Sequence, residues 1–538
     1  MPIRMTPDEG QEQNQGPRPN RGGGGGGGFP NIGGGGGGII GMLLPMLFKS
    51  PKLMIGLLIV GGIFYFMSGS EGCSGAGGGG GIANVVSNLI TNKGATLDPK
   101  EYDKAEVFEP LADNVKNPLP ERVSLEAFAP PRLNQGQQGS CVAWASAYAA
   151  RSIVNNEATK QKPTTEGAFS PSYLYNQIKL GNDCQGSYLI RAMENMQKGG
   201  VAPFSKFAYD DQDCSRPPTP EAAEIAQRYK IKGFQRLSKT DDPQSGVDML
   251  AMKQQLNQGS PCVIGMMVGG SFMQEMEGQD KWIPNESDYQ QSGFGGHAMC
   301  VIGYDDYKFG QEGGFQLMNS WGTSWGKNGL AWVSFRDFEF FTKEAYAVYP
   351  QAESGDVKPT RFDLRFGLAV VDAKGKATGE NIALVRDGGR VFRTAKPIAK
   401  GTRFKIEVTN NAECYTYLFG QEVDGSPYVL FPYTPKHSPY CGITGTRVFP
   451  KDHSLTADEV GTSDEMAILV YNQPVNFPQL NEVMKTNTAK GLDAKLSAAL
   501  GTELMNADGL TYSEGSTFGA AGPANSNAVA FVLRIDKR

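Results

Sequence analysis

The sequence predicts an α+β chain. One domain combines a helical lobe with a β-barrel-like lobe, an all-β sandwich-like domain follows, and a transmembrane helix lies near the N-terminus. Three observations carry this. A Gly-rich polar loop gives way at Cys141 to Ala and large apolar residues through about Val154, the pattern of a buried helix. Apolar, β-branched runs at Cys262–Val268 and Ala298–Tyr304, with Phe315-Gln316-Leu317-Met318 after them, read as strands. Beyond Lys358 the pattern changes to short alternating strands, among them Phe404-x-Ile406-x-Val408 and Tyr415-x-Tyr417-x-Phe419.

With 538 residues, net charge −5 and 39% hydrophobic residues, the chain is long enough for two ordinary domains plus tails. Charges are mixed and no long basic block occurs, which argues against a nucleic-acid partner. Its 70 glycines concentrate in tracts at 22–28, 33–38 and 77–81 that cannot build a core. Eight cysteines without a C-x-x-C pair, beside three histidines, predict neither a metal site nor a cofactor.

Residues 1–51 read as a disordered, Gly-rich cytoplasmic tail, with an apolar run at Ile39–Phe48 broken by Lys49-Ser50-Pro51-Lys52. Residues 52–68 read as a transmembrane signal anchor. The uncharged stretch Leu53–Ser68 spans about 24 Å as a helix, short for a ~30 Å hydrocarbon layer but extended by Lys52 and Tyr65 at its edges. Positive charge before it and Glu71 after it predict a single pass, N-terminus cytoplasmic, catalytic domain exported. The rival readings are signal cleavage at Ser68-x-Ser70 and lipidation at Cys73. Residues 69–117 read as a stalk, Gly-rich and then acidic and weakly helical over Asp98–Asn114, or as a short pro-segment lying across a cleft.

The chemistry centres on Cys141. A thiol in the first turn of a helix feels unpaired N–H groups and the positive dipole end, which favour thiolate. The bland alternative is a small apolar Cys packed at a helix start. A thiolate nucleophile needs a base, and the base an orienting group. His437 and His453 fall in segments read as surface loops, whereas His297 stands where a Gly pair enters a buried strand. Asn319, in Met318-Asn319-Ser320-Trp321-Gly322, is placed to hold the imidazole while Trp321 shields that bond. Gln135, six positions before Cys141, lies in the loop that passes the sulfur and pairs with the Cys141 N–H as an oxyanion hole.

Gln-Gly-x-x-Gly-Ser-Cys, then His-Ala, then Asn-Ser-Trp-Gly-x-x-Trp-Gly, in that order, resembles the papain/cathepsin family of cysteine peptidases over roughly Leu119 to Pro350. The resemblance implies a papain-like peptidase domain over 118–350 and a peptide or protein substrate. Gln138 stands where that family usually has a disulfide Cys, and Val142 replaces the usual aromatic residue. Cys141 lies farther from His297 and Asn319 than the roughly 130–150 residues of cathepsins, which implies a divergent, bacterial-type member with loop insertions; the stretch 52–68 would make it membrane-anchored. Cys184-Gln185-Gly186-Ser187-Tyr188 is similar to the family's cleft wall. That match implies that the backbone of Gly186 and Ser187 pairs with extended substrate; an ordinary turn before the helix Leu189–Lys198 is the alternative. With Gln138 unable to bridge Cys184, the expected partner is Cys214. Phe169-Ser170-Pro171 starts a further helix with Ser170 as cap, and Cys262 and Cys300 read as buried free thiols.

Residues 359–538 read as a β-rich accessory domain with one helix near Leu480–Leu500, joined by a polar linker from Pro350 to Lys358. It weakly resembles an uncharacterised β domain of bacterial envelope proteins, which implies no activity; its partner is unknown, and Cys414 and Cys441 are candidates for a disulfide. The function expected is a cysteine-type endopeptidase of the bacterial cell envelope. A cell-wall peptide amidase with the same dyad and an idle papain-fold scaffold are the alternatives.

Overall fold

The computed structural model describes residues 3–8, 94–112, 115–350, 361–523 and 526–538. The transmembrane helix at 52–68, the stalk as far as residue 93 and the linker after residue 350 were expected in segments outside these residues. Among the described residues no helix is long and apolar enough to cross a membrane.

The first strand, β1 (Ile3–Pro7), belongs to the last domain and is taken with it. After a four-residue helix, α1 (Pro99–Tyr102), and the short strand β2 (Arg122–Ser124), the chain enters its helical lobe. There α2 (Cys141–Ala143) runs through a π-helical stretch at Trp144–Arg151 into α3 (Ser152–Thr159). Alanines at 143, 145, 147, 149 and 150 are all buried, and their small side chains let neighbouring elements approach. Around this helix pack α4 (Pro171–Ile178), capped by Ser170, whose hydroxyl accepts from the Tyr173 N–H, and the amphipathic α5 (Leu189–Lys198).

The second lobe is one sheet. Its strands are β3 (Ile231–Arg236), β4 (Cys262–Val268), β5 (Lys281–Trp282), β6 (Gly295–Phe309), β7 (Glu312–Met318), β8 (Leu330–Ser334) and β9 (Thr342–Pro350), in the spatial order 3-9-4-6-7-8-5 with β2 on β6. Between β3 and β4 lies α6 (Met249–Asn257), capped by Asp248. The first ten residues of β6 are buried because it lies between the Cys141 helix and α6, so its sequence is continuously apolar rather than alternating. Cys262 and Cys300 are buried free thiols in this sheet.

The C-terminal domain stacks two sheets. One contains β10 (Arg361–Val371), β11 (Arg403–Asn410), β15 (Gly445–Phe449), β16 (His453–Ala457) and β18 (Phe518–Pro523). The other contains β12 (Cys414–Gln421), β13 (Pro427–Phe431), β14 (Tyr440–Cys441), β17 (Ser463–Tyr471) and β19 (Ala528–Asp536). Phe366 of the first meets Phe531 of the second with ring centroids 4.3 Å apart, in one shared core. The outer face of the second sheet is covered by α7 (Phe477–Thr486) and α8 (Leu492–Leu500), through Leu480, Met484, Leu492 and Leu496. Two helices therefore replace the single one expected, because Asn487 leaves the helix in an extended conformation and Gly491 takes a positive φ of 80°. Cys414 and Cys441 face each other across β12 and β14 as free thiols, so the disulfide considered for them is not formed.

Residues 3–7 are not a disordered tail. β1 pairs antiparallel with β16, and the buried Asp8 carboxylate meets both Arg403 and Lys405 at 2.8 Å. Nor are the two downstream histidines in surface loops: His453 opens β16, and His437 bridges to Val107.

Candidate active site

Cys141 is fully buried at the first position of α2. Ser140 precedes it, but its hydroxyl bonds Tyr209 at 2.7 Å rather than capping the helix. The Ala298 N–H, next to His297 on β6, donates to Cys141 Sγ at 3.4 Å, so the strand carrying the histidine passes beside the sulfur. His297 Nε2 lies 2.8 Å from Asn319 Oδ1. The Ser320 N–H also points to that oxygen, at 2.8 Å, which fixes it as an acceptor. His297 Nε2 therefore carries the proton, leaving Nδ1 as the basic atom of the ring. Trp321 covers the imidazole with ring centroids 4.5 Å apart.

Gln135 lies beside this group. Its Oε1 accepts from the Ser320 hydroxyl at 2.6 Å, and one amide hydrogen reaches Gln138 O at 2.9 Å. Cys184 and Cys214 form a disulfide. Where a second bridge was missing, Gln138 donates to Asp210 O at 3.2 Å and accepts from the Tyr209 hydroxyl at 3.3 Å. Gln135, Cys184, Asp211, Met273, Glu277 and Trp321 line an open groove of about 900 Å³ beside the cysteine.

The other half of the groove is occupied by the chain itself. Residues 94–97, here called the strap, lie parallel to Ser187. Ser187 N–H donates to Gly94 O at 3.1 Å, Thr96 N–H to Ser187 O at 2.9 Å, and Ala95 N–H to Gly296 O at 3.1 Å. Gly94 has a φ of 108°, and a Cβ there would stand 2.9 Å from Cys141 Sγ. The Leu97 side chain lies over Gly265 and Gly296. Asp98 N–H then bonds the buried Glu344 carboxylate at 3.2 Å.

Two expectations change. Gly186 does not pair with the extended segment: its N–H is held by the Tyr175 hydroxyl at 3.1 Å and its carbonyl by Leu180 N–H at 2.8 Å, so Ser187 alone does the pairing. The thiol is not poised as a thiolate either. Burial pushes Cys141 up to about 12, against the N–H groups of Ala298, Val142 and Cys141 that pull it down. The strap lies against the sulfur and keeps water away, and desolvation outweighs the helix terminus. Ser320 and Glu344 were not singled out from sequence. Ser320 was visible inside the Asn-Ser-Trp motif, whereas nothing local marks Glu344.

The sequence model of the papain family cysteine protease matches residues 122–350. These residues belong to the papain family. The papain-family domain is 30% identical over 203 residues to an uncharacterised peptidase C1-like protein, L477, of Acanthamoeba polyphaga mimivirus, covering 37% of this chain and 62% of that one. Over 209 residues it is 25% identical to cathepsin K of Mus musculus, covering 38% of this chain and 56% of the cathepsin. The chain thus spans less than two thirds of these relatives. Among solved structures, xylellain, a cysteine protease from Xylella fastidiosa, is similar at 23% identity and a TM-score of 0.39, covering 48% of this chain and 95% of that one.

Proposed function

We propose that the chain is a cysteine endopeptidase held latent by its own strap. The observation that supports the reading is that Cys141, His297 and Asn319 lie together, buried, behind a groove that Gln135 and Trp321 line. The Ala298 N–H reaches the sulfur at 3.4 Å, and the imidazole is bonded to Asn319 at 2.8 Å. With the strap withdrawn, His297 Nδ1 takes the thiol proton and the sulfur attacks a substrate carbonyl carbon. The oxyanion is met by the Cys141 N–H, which as the first of its helix has no intrahelical partner, and by the Gln135 amide. His297 then returns the proton to the leaving amine as the C–N bond breaks. Water, deprotonated by the same ring, next cleaves the thioester and regenerates the thiol.

A peptide or protein substrate follows from this chemistry. A setting in the bacterial envelope and attachment through residues 52–68 rest on composition alone, and a partner for the C-terminal domain on its presence.

The test uses the full chain carrying Thr96→Pro, which removes the N–H that binds Ser187 and so unseats the strap. Hydrolysis of a peptide mixture is expected from this protein. Adding Cys141→Ala should abolish it with a nearly unchanged thermal midpoint. Hydrolysis that survives Cys141→Ala refutes the reading.

A further inference from the structure

Three backbone hydrogen bonds and the Leu97 side chain seat residues 94–97 in the groove, and the Tyr102 hydroxyl ties the turn that follows to Ala345. Each such bond is worth about 1 kcal/mol net, so the strap's occupancy depends on how firmly its root is held. That root, residues 103–112 and 115–117, runs between the papain-family domain and the C-terminal domain. The first contributes bonds from Phe108 N–H to Arg236 O at 3.0 Å and from Arg236 N–H to Glu106 O at 2.9 Å, and the Gln254 amide closes on both backbone groups of Leu111.

The C-terminal domain contributes more. Val107 donates to Lys436 O at 2.7 Å and accepts from Ser438 N–H at 3.0 Å. Arg447 Nε donates to Glu109 O at 3.0 Å, and the Tyr433 hydroxyl to the Glu109 carboxyl at 3.2 Å. Ala112 N–H reaches Thr446 O at 2.8 Å. Asn117 clasps both backbone groups of Thr446, at 2.9 and 2.8 Å, and Lys436 Nζ lies 2.7 Å from the Asp103 carboxylate.

From this arrangement we infer that the C-terminal β domain is the holdfast of the strap, keeping Gly94–Leu97 over Cys141 by fixing residues 103–112 and Asn117. The inference rests on the peptidase reading above and assigns that domain a regulatory task. Loosening the root on the C-terminal side leaves it held by Arg236 and Gln254 alone. The effective concentration of the strap at the groove then falls, although no groove contact has been altered.

Asn117→Ala combined with Lys436→Ala in the full chain tests this, since neither side chain lies in a core. The measurements are the rate at which iodoacetamide alkylates Cys141, located by mass spectrometry, and hydrogen exchange at the Ala95 and Thr96 amides. The expected result is alkylation faster by about tenfold or more, with exchange accelerating in step and the thermal midpoint nearly constant. Thr96→Pro supplies the unseated reference. If it speeds alkylation while the double variant stays at wild-type rates, the C-terminal domain is not the holdfast; if neither speeds it, the strap does not guard the thiol and the inference falls as well. The peptidase reading fails separately, when Thr96→Pro exposes the thiol yet hydrolyses no peptide.

Discussion

Ser320 connects two parts of the proposed catalytic group. Its N–H fixes Asn319 Oδ1 at 2.8 Å and its hydroxyl fixes Gln135 Oε1 at 2.6 Å, while its carbonyl takes the Gln135 N–H at 2.8 Å. Ser320→Ala keeps the backbone bonds and frees the Gln135 amide to rotate. In the Thr96→Pro background kcat should fall by part of the ~10²–10³ that loss of one oxyanion donor costs, with KM unchanged and Ser320→Thr restoring much of the rate. Stability should fall by only about 1 kcal/mol, one hydrogen bond's worth. A change confined to KM would place Gln135 in binding alone. The meeting of Cys141, His297 and Asn319 was legible because each sits in a local motif. Gly186 misled because its backbone is consumed by Tyr175 and Leu180, and neither partner is visible from the short motif around it.

Among elements, the strap carries its own pH dependence. Burial pushes the Glu344 carboxyl up to about 8, and the charges of Asp98 and Glu101 push the same way against the Asp98 N–H and the Tyr346 hydroxyl. Asp98 and Glu101 flank the strap, so its departure relieves their repulsion and opens Glu344 to water, which lowers its pKa. A carboxyl whose pKa is higher when docked stabilises docking fully below the undocked value and ceases to do so as pH rises through the docked one. Docking should weaken as pH rises toward about 8, by up to ~1.4 kcal/mol per pH unit. The ratio of Cys141 alkylation rates in wild type and Glu344→Gln checks this: it should climb between pH 5 and 8, and a flat ratio refutes the linkage. The helices at Ser170–Ile178 and Leu189–Lys198 were readable from a Ser-Pro cap and a clear amphipathic pattern. The strap was foreseen only as one reading of a stalk, because Gly-Ala-Thr-Leu binds through backbone atoms and an extended backbone leaves no periodicity.

For the whole molecule, long-range pairing decides what the sequence hides. Both faces of the second C-terminal sheet are covered, by the first sheet and by α7 with α8, so Tyr417 and Leu418 are buried on opposite sides. Such a strand still reads as a strand, and the accessory domain was legible as β-rich for that reason. Five residues of β1, in a glycine-rich tail and paired with a strand some 450 positions away, were not. Asp8 holds that strand through Arg403 and Lys405, and its carboxylate is wholly buried. Asp8→Ala should therefore leave Lys405 poorly matched and cost about 3 kcal/mol. Limited proteolysis should then trim the first residues while the catalytic groove stays intact; an N-terminus as resistant as wild type would refute this account.

The place of β1 also bears on where the first residues are to be found. Residues 3–8 and Cys141 belong to one folded body. We therefore propose that they share a compartment, so that a protease or a thiol reagent added to intact cells reaches both or neither.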